Sequence, residues 1–189
     1  DAIDRTPAQW QGQDEVDGAE VRMNANTNRA TYKGVEIGAE VPLPAGALLF
    51  GQGAWIQGET EADGETEPAR RSPPLTATAG VRWKSDWNAL RLSFYARGAT
   101  TQDRLNGDDR KDLRICADPD NPGQTLGDAC TGTPGWTTLH ATVGMDVPAV
   151  EGLHLNLHAD NLLDTRYRYH GSGFDAPGFN AKLSAHYDF

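Results

Sequence analysis

Apolar and polar residues alternate with a period of two along most of the chain, the signature of strands with two unlike faces. Apolar rows run through Leu75, Ala77, Ala79, Val81 and Trp83, then through Leu90, Leu92, Phe94 and Ala96. Further rows hold Leu139, Ala141, Val143 and Met145, then Leu153, Leu155, Leu157 and Ala159, and finally Phe179, Ala181, Leu183, Ala185, Tyr187 and Phe189. The opposite parities carry Arg82, Lys84, Arg91, Arg97, His140, Asp146, His154, His158, Asp160, Lys182, His186 and Asp188. No charge interrupts the apolar rows. Two earlier runs are less regular. Val35, Ile37, Ala39 and Val41 alternate with Glu36 and Glu40, while the stretch from Leu48 to Phe50 is apolar on both parities. Alternation and turn signals together predict about seven strands and a stub at residues 1–4.

The connections between these runs alternate strictly in length. Short ones fall at residues 42–46, 85–88 and 147–151, long ones at 61–72, 98–135 and 161–177. In an up-and-down meander this order gathers the tight turns at one end and the long loops at the other, as in outer-membrane barrels. A soluble sandwich or lipocalin-like barrel also alternates, but it turns its charged face to water. Here the polar face mixes modest charge with Gly, Ser, Thr, Asn and His, which suits a wet lumen. The apolar rows match the ~9–11 residues with which a tilted strand crosses a bilayer. Trp83, Trp87, Tyr187 and Phe189 at the short-turn end and Trp136 at the long-loop end are expected to form the aromatic girdles of such a barrel.

Composition narrows the partners. A net charge of -10 at pH 7 argues against nucleic acid, whose phosphates require an excess of Lys and Arg. Cys116 and Cys130 lie in the polar, turn-rich stretch CADPDNPGQTLGDAC and read as a disulfide formed outside the cytoplasm. The opening DAID, without an initiator Met, suggests a start that is cleaved or lies elsewhere.

Two segments resemble the TonB-dependent receptors of the outer membrane. NTNRATYKGVEIGAEVPL is similar to their N-x-x-x-A-x-x-x-G-x-E strand, with Asn26, Ala30, Gly34 and Glu36 in the motif positions. The segment from Leu153 resembles their final strand pair: the N-L-L-D turn at residues 161–164, then Tyr167, Pro177-Gly178 and a terminal Phe189. Phe179 stands where the family commonly has Arg. The resemblance implies an all-β, antiparallel transmembrane barrel of 22 strands around an N-terminal plug. Residues 1–189 would be the C-terminal segment, about the last seven to eight strands, with the plug and remaining strands outside it. It implies active uptake of a scarce ligand such as an iron-siderophore, haem, cobalamin or another metal complex, with no enzymatic activity. The implied partners are the rest of the barrel and plug, the TonB complex through the plug, lipopolysaccharide and outer-membrane lipid, the barrel assembly machinery and the small-molecule ligand. Tyr187 and Phe189 would form the C-terminal assembly signal. The expected location is the bacterial outer membrane, with the C-terminus periplasmic and the long loops extracellular. The alternative is a complete small passive or structural barrel, porin-like or adhesin-like, since eight strands is a permitted number.

Candidate chemistry is sparse. Ser184, His186 and Asp188 lie two apart on one strand, ~6–7 Å between neighbours, too far for a Ser–His catalytic pair. His140 and His158, placed opposite each other by a turn centred near Ala149, and His154 on the same face, are candidate ligands of a transition metal, against the simpler reading that neutral His suits a wet lumen. No resident cofactor is expected. ETEADGETE and NGDDRKD offer carboxylates for Ca²⁺ bridged to lipopolysaccharide, but neither has EF-hand spacing, and solvated mobile loops are the expectation.

Overall fold

The structure is a computed structural model that describes residues 2–7, 13–16, 19–20, 22–62, 64–85 and 89–189. Trp87, expected in the lower girdle, lies outside the described residues. The strands are β1 (Ala2–Pro7), β2 (Glu15–Val16), β3 (Ala19–Glu20), β4 (Arg22–Pro42), β5 (Ala47–Ala62) and β6 (Glu65–Pro68). They continue with β7 (Thr76–Lys84), β8 (Leu90–Ala99), β9 (Trp136–Asp146), β10 (Leu153–Asp160) and β11 (Asn180–Tyr187). One-turn helices α1 (Gly107–Arg110) and α2 (Leu113–Cys116) sit in the β8–β9 connection.

Among the described residues the main antiparallel sheet runs in the order β1-β4-β5-β7-β8-β9-β10-β11, with β6 paired to the far end of β5, while β2 and β3 pair in a separate two-stranded sheet. Each long strand pairs with its neighbour in sequence, as the meander predicts. β1 and β11 are the free edges of this path and do not pair with each other, so the sheet is open, as part of a barrel is.

Burial on this sheet is the reverse of a soluble protein's. Ile37 is 69% exposed, Phe94 52% and Leu183 73%, and Val81, Val143 and Leu157 are exposed with them. Contiguous apolar surface of this kind costs ~25 cal/mol per Å² in water and is stable only against lipid or a partner. On the opposite face Thr138 is fully buried and His140 nearly so. Among the described residues the buried apolar cluster lies in the β8–β9 connection, where Leu105, Ile115, Cys116 and Cys130 pack together.

The apolar band has a readable upper limit. Trp55 pairs with Val35, and beyond that row the same face of β4 and β5 turns polar, with Lys33 opposite Gln57, Thr31 opposite Glu59 and Arg29 opposite Glu61. β4 is 21 residues long and continues roughly 40 Å along the strand past the band, far beyond what a bilayer requires. The stub expected at residues 1–4 is the six-residue strand β1, paired with this upper part of β4 from Ala2 opposite Asn28 to Pro7 opposite Arg22.

Candidate functional site

The polar face carries two side-chain networks, and the long connections carry a third. Nearest the short turns, five side chains from β8 to the residue after β11 alternate between basic and acidic types. Arg91 grips Asp146 with both terminal nitrogens, at 2.9 and 2.6 Å. Asp146 also holds Nδ1 of His154 at 2.6 Å. Nε2 of His154 lies 3.2 Å from Asp188, whose other oxygen is 2.8 Å from Nε2 of His186. His154 and His186 are direct cross-strand partners.

Midway up the wall, Phe50, Gly80, Tyr95 and His140 lie in one cross-strand row. Tyr95 stacks on His140 at a ring separation of 4.7 Å and lies 6.3 Å from Phe50. A side chain at Gly80 would collide with the Cβ of Tyr95 and the carbonyl of Phe94, so glycine there is what lets Tyr95 lean across. His140 is fixed on both ring nitrogens, by Asp160 at 2.9 Å and by the hydroxyl of Thr138 at 2.8 Å.

The third network ties the long connections together. Asp109 is fully buried, and its carboxylate accepts the backbone N–H of Arg71 from the β5–β7 connection at 3.1 Å. Asp112 caps α2 through the N–H of Arg114 and gathers the guanidiniums of Arg70, Arg71 and Arg114 at 3.3, 2.6 and 3.0 Å. From the β10–β11 connection, Nδ1 of His170 reaches the hydroxyl of Thr133 at 2.9 Å. The Nε2 atom of His170 is buried with no hydrogen-bond partner, and burial pushes its pKa below the ordinary imidazole value. Cys116 and Cys130 form the expected disulfide at the centre of this cap.

Under the cap lies a recess of about 320 Å³ between Trp136, Tyr167, Arg166, Arg168, Asp175 and the backbone at Gly135. Trp136 packs against Tyr167 at 4.3 Å and edge-on to Tyr169 at 5.2 Å, while Arg97 lies 5.6 Å over the Tyr169 ring. Asp175 receives Arg166 at 2.6 Å and Arg168 at 2.9 Å, and these two guanidiniums hold its carboxyl below the usual carboxylate range. The recess thus offers aromatic faces and two part-neutralised cations, suited to a planar or anionic group.

Several sequence expectations are redirected by this geometry. His158 stands opposite Thr142, and its Nδ1 lies 3.3 Å from that hydroxyl; the same register carries His140 past His158 to Asp160. The β9–β10 turn is centred on Val150, one residue later than the expected Ala149, which moves every partner by two. His154 is two rows further toward the short turns than His158, so the three histidines do not converge. Trp136 is not in the lipid-side girdle: it shares parity with Thr138 and His140, is 9% exposed, and is covered by tyrosines of the β10–β11 connection. That parity was already in the sequence. The Asn106-to-Asp112 stretch is not a mobile solvated loop but a helical turn capped by Asn106 and locked by arginines. In the other acidic stretch, Glu59 accepts from Gln57 at 2.9 Å and Arg104 at 3.3 Å. Ser184 stands opposite Asn156, away from the His186–Asp188 contact. Tyr187 and Phe189 do form an exposed edge-to-face pair at 5.1 Å.

An open antiparallel sheet with its apolar face outward, a polar network on the inner face and a knitted cap at one end defines part of a transmembrane β-barrel. The family model described as TonB dependent receptor-like, β-barrel, matches residues 1–162, and the chain belongs to that family. Members of this family are outer-membrane β-barrels, and they are transporters rather than enzymes. Two solved structures share the fold. The copper transporter OprC superposes with a TM-score of 0.68 at 18% identity, over 90% of this chain and 25% of that one. The FrpB iron transporter from Neisseria meningitidis (F3-3 variant) gives 0.66 at 14% identity, over 93% of this chain and 26% of that one. The chain therefore spans about a quarter of the length of these transporters. No curated protein matches the sequence.

Proposed function

We propose that this chain is the C-terminal segment of the barrel of a TonB-dependent receptor for active uptake of a scarce ligand across the bacterial outer membrane. It supplies lipid-facing wall, lumen lining and part of the capture surface. The remaining strands and the plug come from the same polypeptide or a companion, and the TonB complex acts through the plug. The ligand class is an iron-siderophore, haem, cobalamin or another metal complex, in keeping with the copper and iron named for the two solved relatives. The long connections face outward, where lipopolysaccharide surrounds the barrel rim, and the short turns and C-terminus face the periplasm; the strict short–long order supports this orientation. The exposed Tyr187–Phe189 pair is the feature the barrel assembly machinery would read.

One observation carries the reading: a wall that does not close on itself bears, at one end, a locked cap over an aromatic, arginine-lined recess. A complete small barrel would pair β11 with β1, which this sheet does not do.

The test uses the full-length receptor in intact cells. The described cysteines are both disulfide-bonded, so single cysteines introduced at Phe174 and at Val150 can be labelled with a membrane-impermeant maleimide. Position 174 should label from outside and position 150 only after permeabilisation; the reverse would overturn the orientation. Replacing residues 166–175 with a Gly-Ser linker should cut uptake of iron and copper complexes at least tenfold while the barrel still inserts. Unchanged uptake of every complex the wild type imports would overturn the capture role.

A further inference from the structure

The recess beneath the cap lies between two separately anchored stretches of chain. On one side stand residues 132–136 at the end of the β8–β9 connection, with Ile115 of the disulfide cluster beside them. Thr133 holds this side in place, because its N–H and its carbonyl both pair with Gln102 at 3.0 Å. On the other side, the N–H of Ala176 donates to the carbonyl of Tyr167 at 2.8 Å. That bond ties together the two limbs of the β10–β11 connection, which carry Arg166, Tyr167, Arg168 and Asp175. The walls are in place before anything enters, so little ordering is left for a guest to impose.

Size selects the guest. A volume of about 320 Å³ stands at the lower limit of pockets that hold small molecules, ~300–1,000 Å³. It admits a single substituted ring and excludes a haem or corrin macrocycle as a whole.

Chemistry selects it further. Trp136, Tyr167 and Ile115 supply aromatic and apolar surface. Asp175 accepts Arg166 through Nε alone, and Arg168 through Nε and Nη2. Among the described residues no acceptor meets either terminal nitrogen of Arg166 or Nη1 of Arg168. Two guanidiniums against one carboxylate leave one positive charge in excess, and the carboxylate fixes the planes from which the spare N–H groups point. Arg166, 87% exposed, stands at the mouth, and Arg168, 34% exposed, lies deeper. A small inorganic anion would meet these donors but leave the ring faces unused. A neutral ring would leave the excess cation uncompensated. An aromatic ring that carries an oxyanion uses both.

We propose that the recess is a subsite for a single aromatic ring bearing a carboxylate or phenolate. Arg166 and Arg168 are its specificity-determining cations, Tyr167 packs against the ring, and Asp175 positions the two guanidiniums. The assignment rests on the capture role proposed for the β10–β11 connection and narrows its ligand. An aryl-oxyanion arm of a metal complex enters the recess, and a haem or cobalamin does not.

The experiment uses the full-length receptor in detergent and follows 4-fluorobenzoate and its neutral isostere 4-fluorobenzamide by fluorine NMR relaxation at neutral pH. Empty micelles serve as the blank, and heat-modifiable gel mobility confirms folding. The wild type should bind the benzoate at least tenfold more tightly than the benzamide, and acetate should not displace it. Arg166→Gln/Arg168→Gln should bring the two probes to about equal affinity, whereas Tyr167→Leu should weaken both by a similar factor. A purely structural role would move both probes together in every variant. Arg82→Gln, which removes a cation paired with Glu40 on the inner wall, should change nothing. Equal binding of both probes to the wild type overturns the proposal, as does a benzoate preference that survives Arg166→Gln/Arg168→Gln. Where the double variant does not fold, Arg168→Gln alone should lower the preference at least threefold. Uptake separates the subsite from the capture role. If the double variant loses the benzoate preference but imports iron and copper complexes as the wild type does, the capture role falls and the subsite stands. If the wild type shows no benzoate preference, the subsite falls whatever replacement of residues 166–175 does to uptake.

Discussion

Asn161 donates its side-chain amide to the carbonyl of Pro177 at 3.2 Å, closing the base of the whole β10–β11 connection. The same amide reaches the carbonyl of Thr165 at 2.9 Å, and its oxygen accepts the N–H of Thr165 at 3.0 Å. Asn161 is 2% exposed and sits at a φ of 49°, a left-handed conformation that Asn tolerates better than most residues. Three residues on, Asp164 accepts the N–H of Phe179 at 2.8 Å. The N-L-L-D turn is thus a staple across the foot of a loop. It uses backbone atoms of residues 177 and 179, which explains why Phe is acceptable where the family commonly has Arg.

Asn161→Ala should loosen this loop without unfolding the barrel. The change leaves buried backbone groups unpaired, at a cost of ~1–3 kcal/mol. Limited proteolysis should show cleavage within residues 161–178 at least tenfold faster, with heat-modifiable mobility of the barrel unchanged.

The disulfide closes a loop with a sequence separation of 14 between two buried cysteines. A closed loop of this size contributes ~3 kcal/mol by restricting the open chain. Reduction, or Cys116→Ser/Cys130→Ser, should expose residues 100–135 to protease. Strand content by circular dichroism should not change.

Acidification should loosen the cap through His170. Its imidazole is held below the ordinary value of about 6.5 when docked, by burial. The undocked loop therefore binds the proton first. Docking is unpenalised above pH ~6.5 and weakens as pH falls below it, until the docked value is reached. Trp136 fluorescence between pH 8 and 5 should report the change, and His170→Gln should flatten it. Asp175 acts lower. Its carboxyl is depressed by Arg166 and Arg168, so its contribution is complete above pH ~4 and lost as pH falls further.

A charge on the outward face should cost far more than one on the inward face. Phe94 lies at the middle of the β8 outer row, and Ser93 beside it points the other way. Phe94→Arg should destabilise the barrel by ~2–4 kcal/mol at the bilayer midplane, read as a lower urea midpoint for folding into lipid vesicles. Ser93→Arg should stay close to wild type.

The sheet was largely legible in the sequence, because strand parity is a local property. Each residue's side is set by its immediate neighbours, and a charge-free row such as Leu153, Leu155 and Leu157 announces a lipid-facing side without knowledge of the partner strand. The same logic placed the short and long connections. It also held the true position of Trp136, whose parity with His140 outweighs its nearness to the upper rim.

Register and loop chemistry were not legible to the same degree. A turn centre moved by one residue, with Gly152 at a φ of 81°, replaces His158 by Asp160 as the partner of His140. The cap joins Arg71 to Asp109 and Asp112 across separations of 38 and 41 residues, with no periodicity to point to them. By itself the sequence determined the strands, their two faces, the order of the connections and, through its motifs, the family resemblance. Only the tertiary structure decided which polar side chains meet, because those meetings depend on turn geometry and on loops packing against loops, and neither leaves a repeating pattern along the chain.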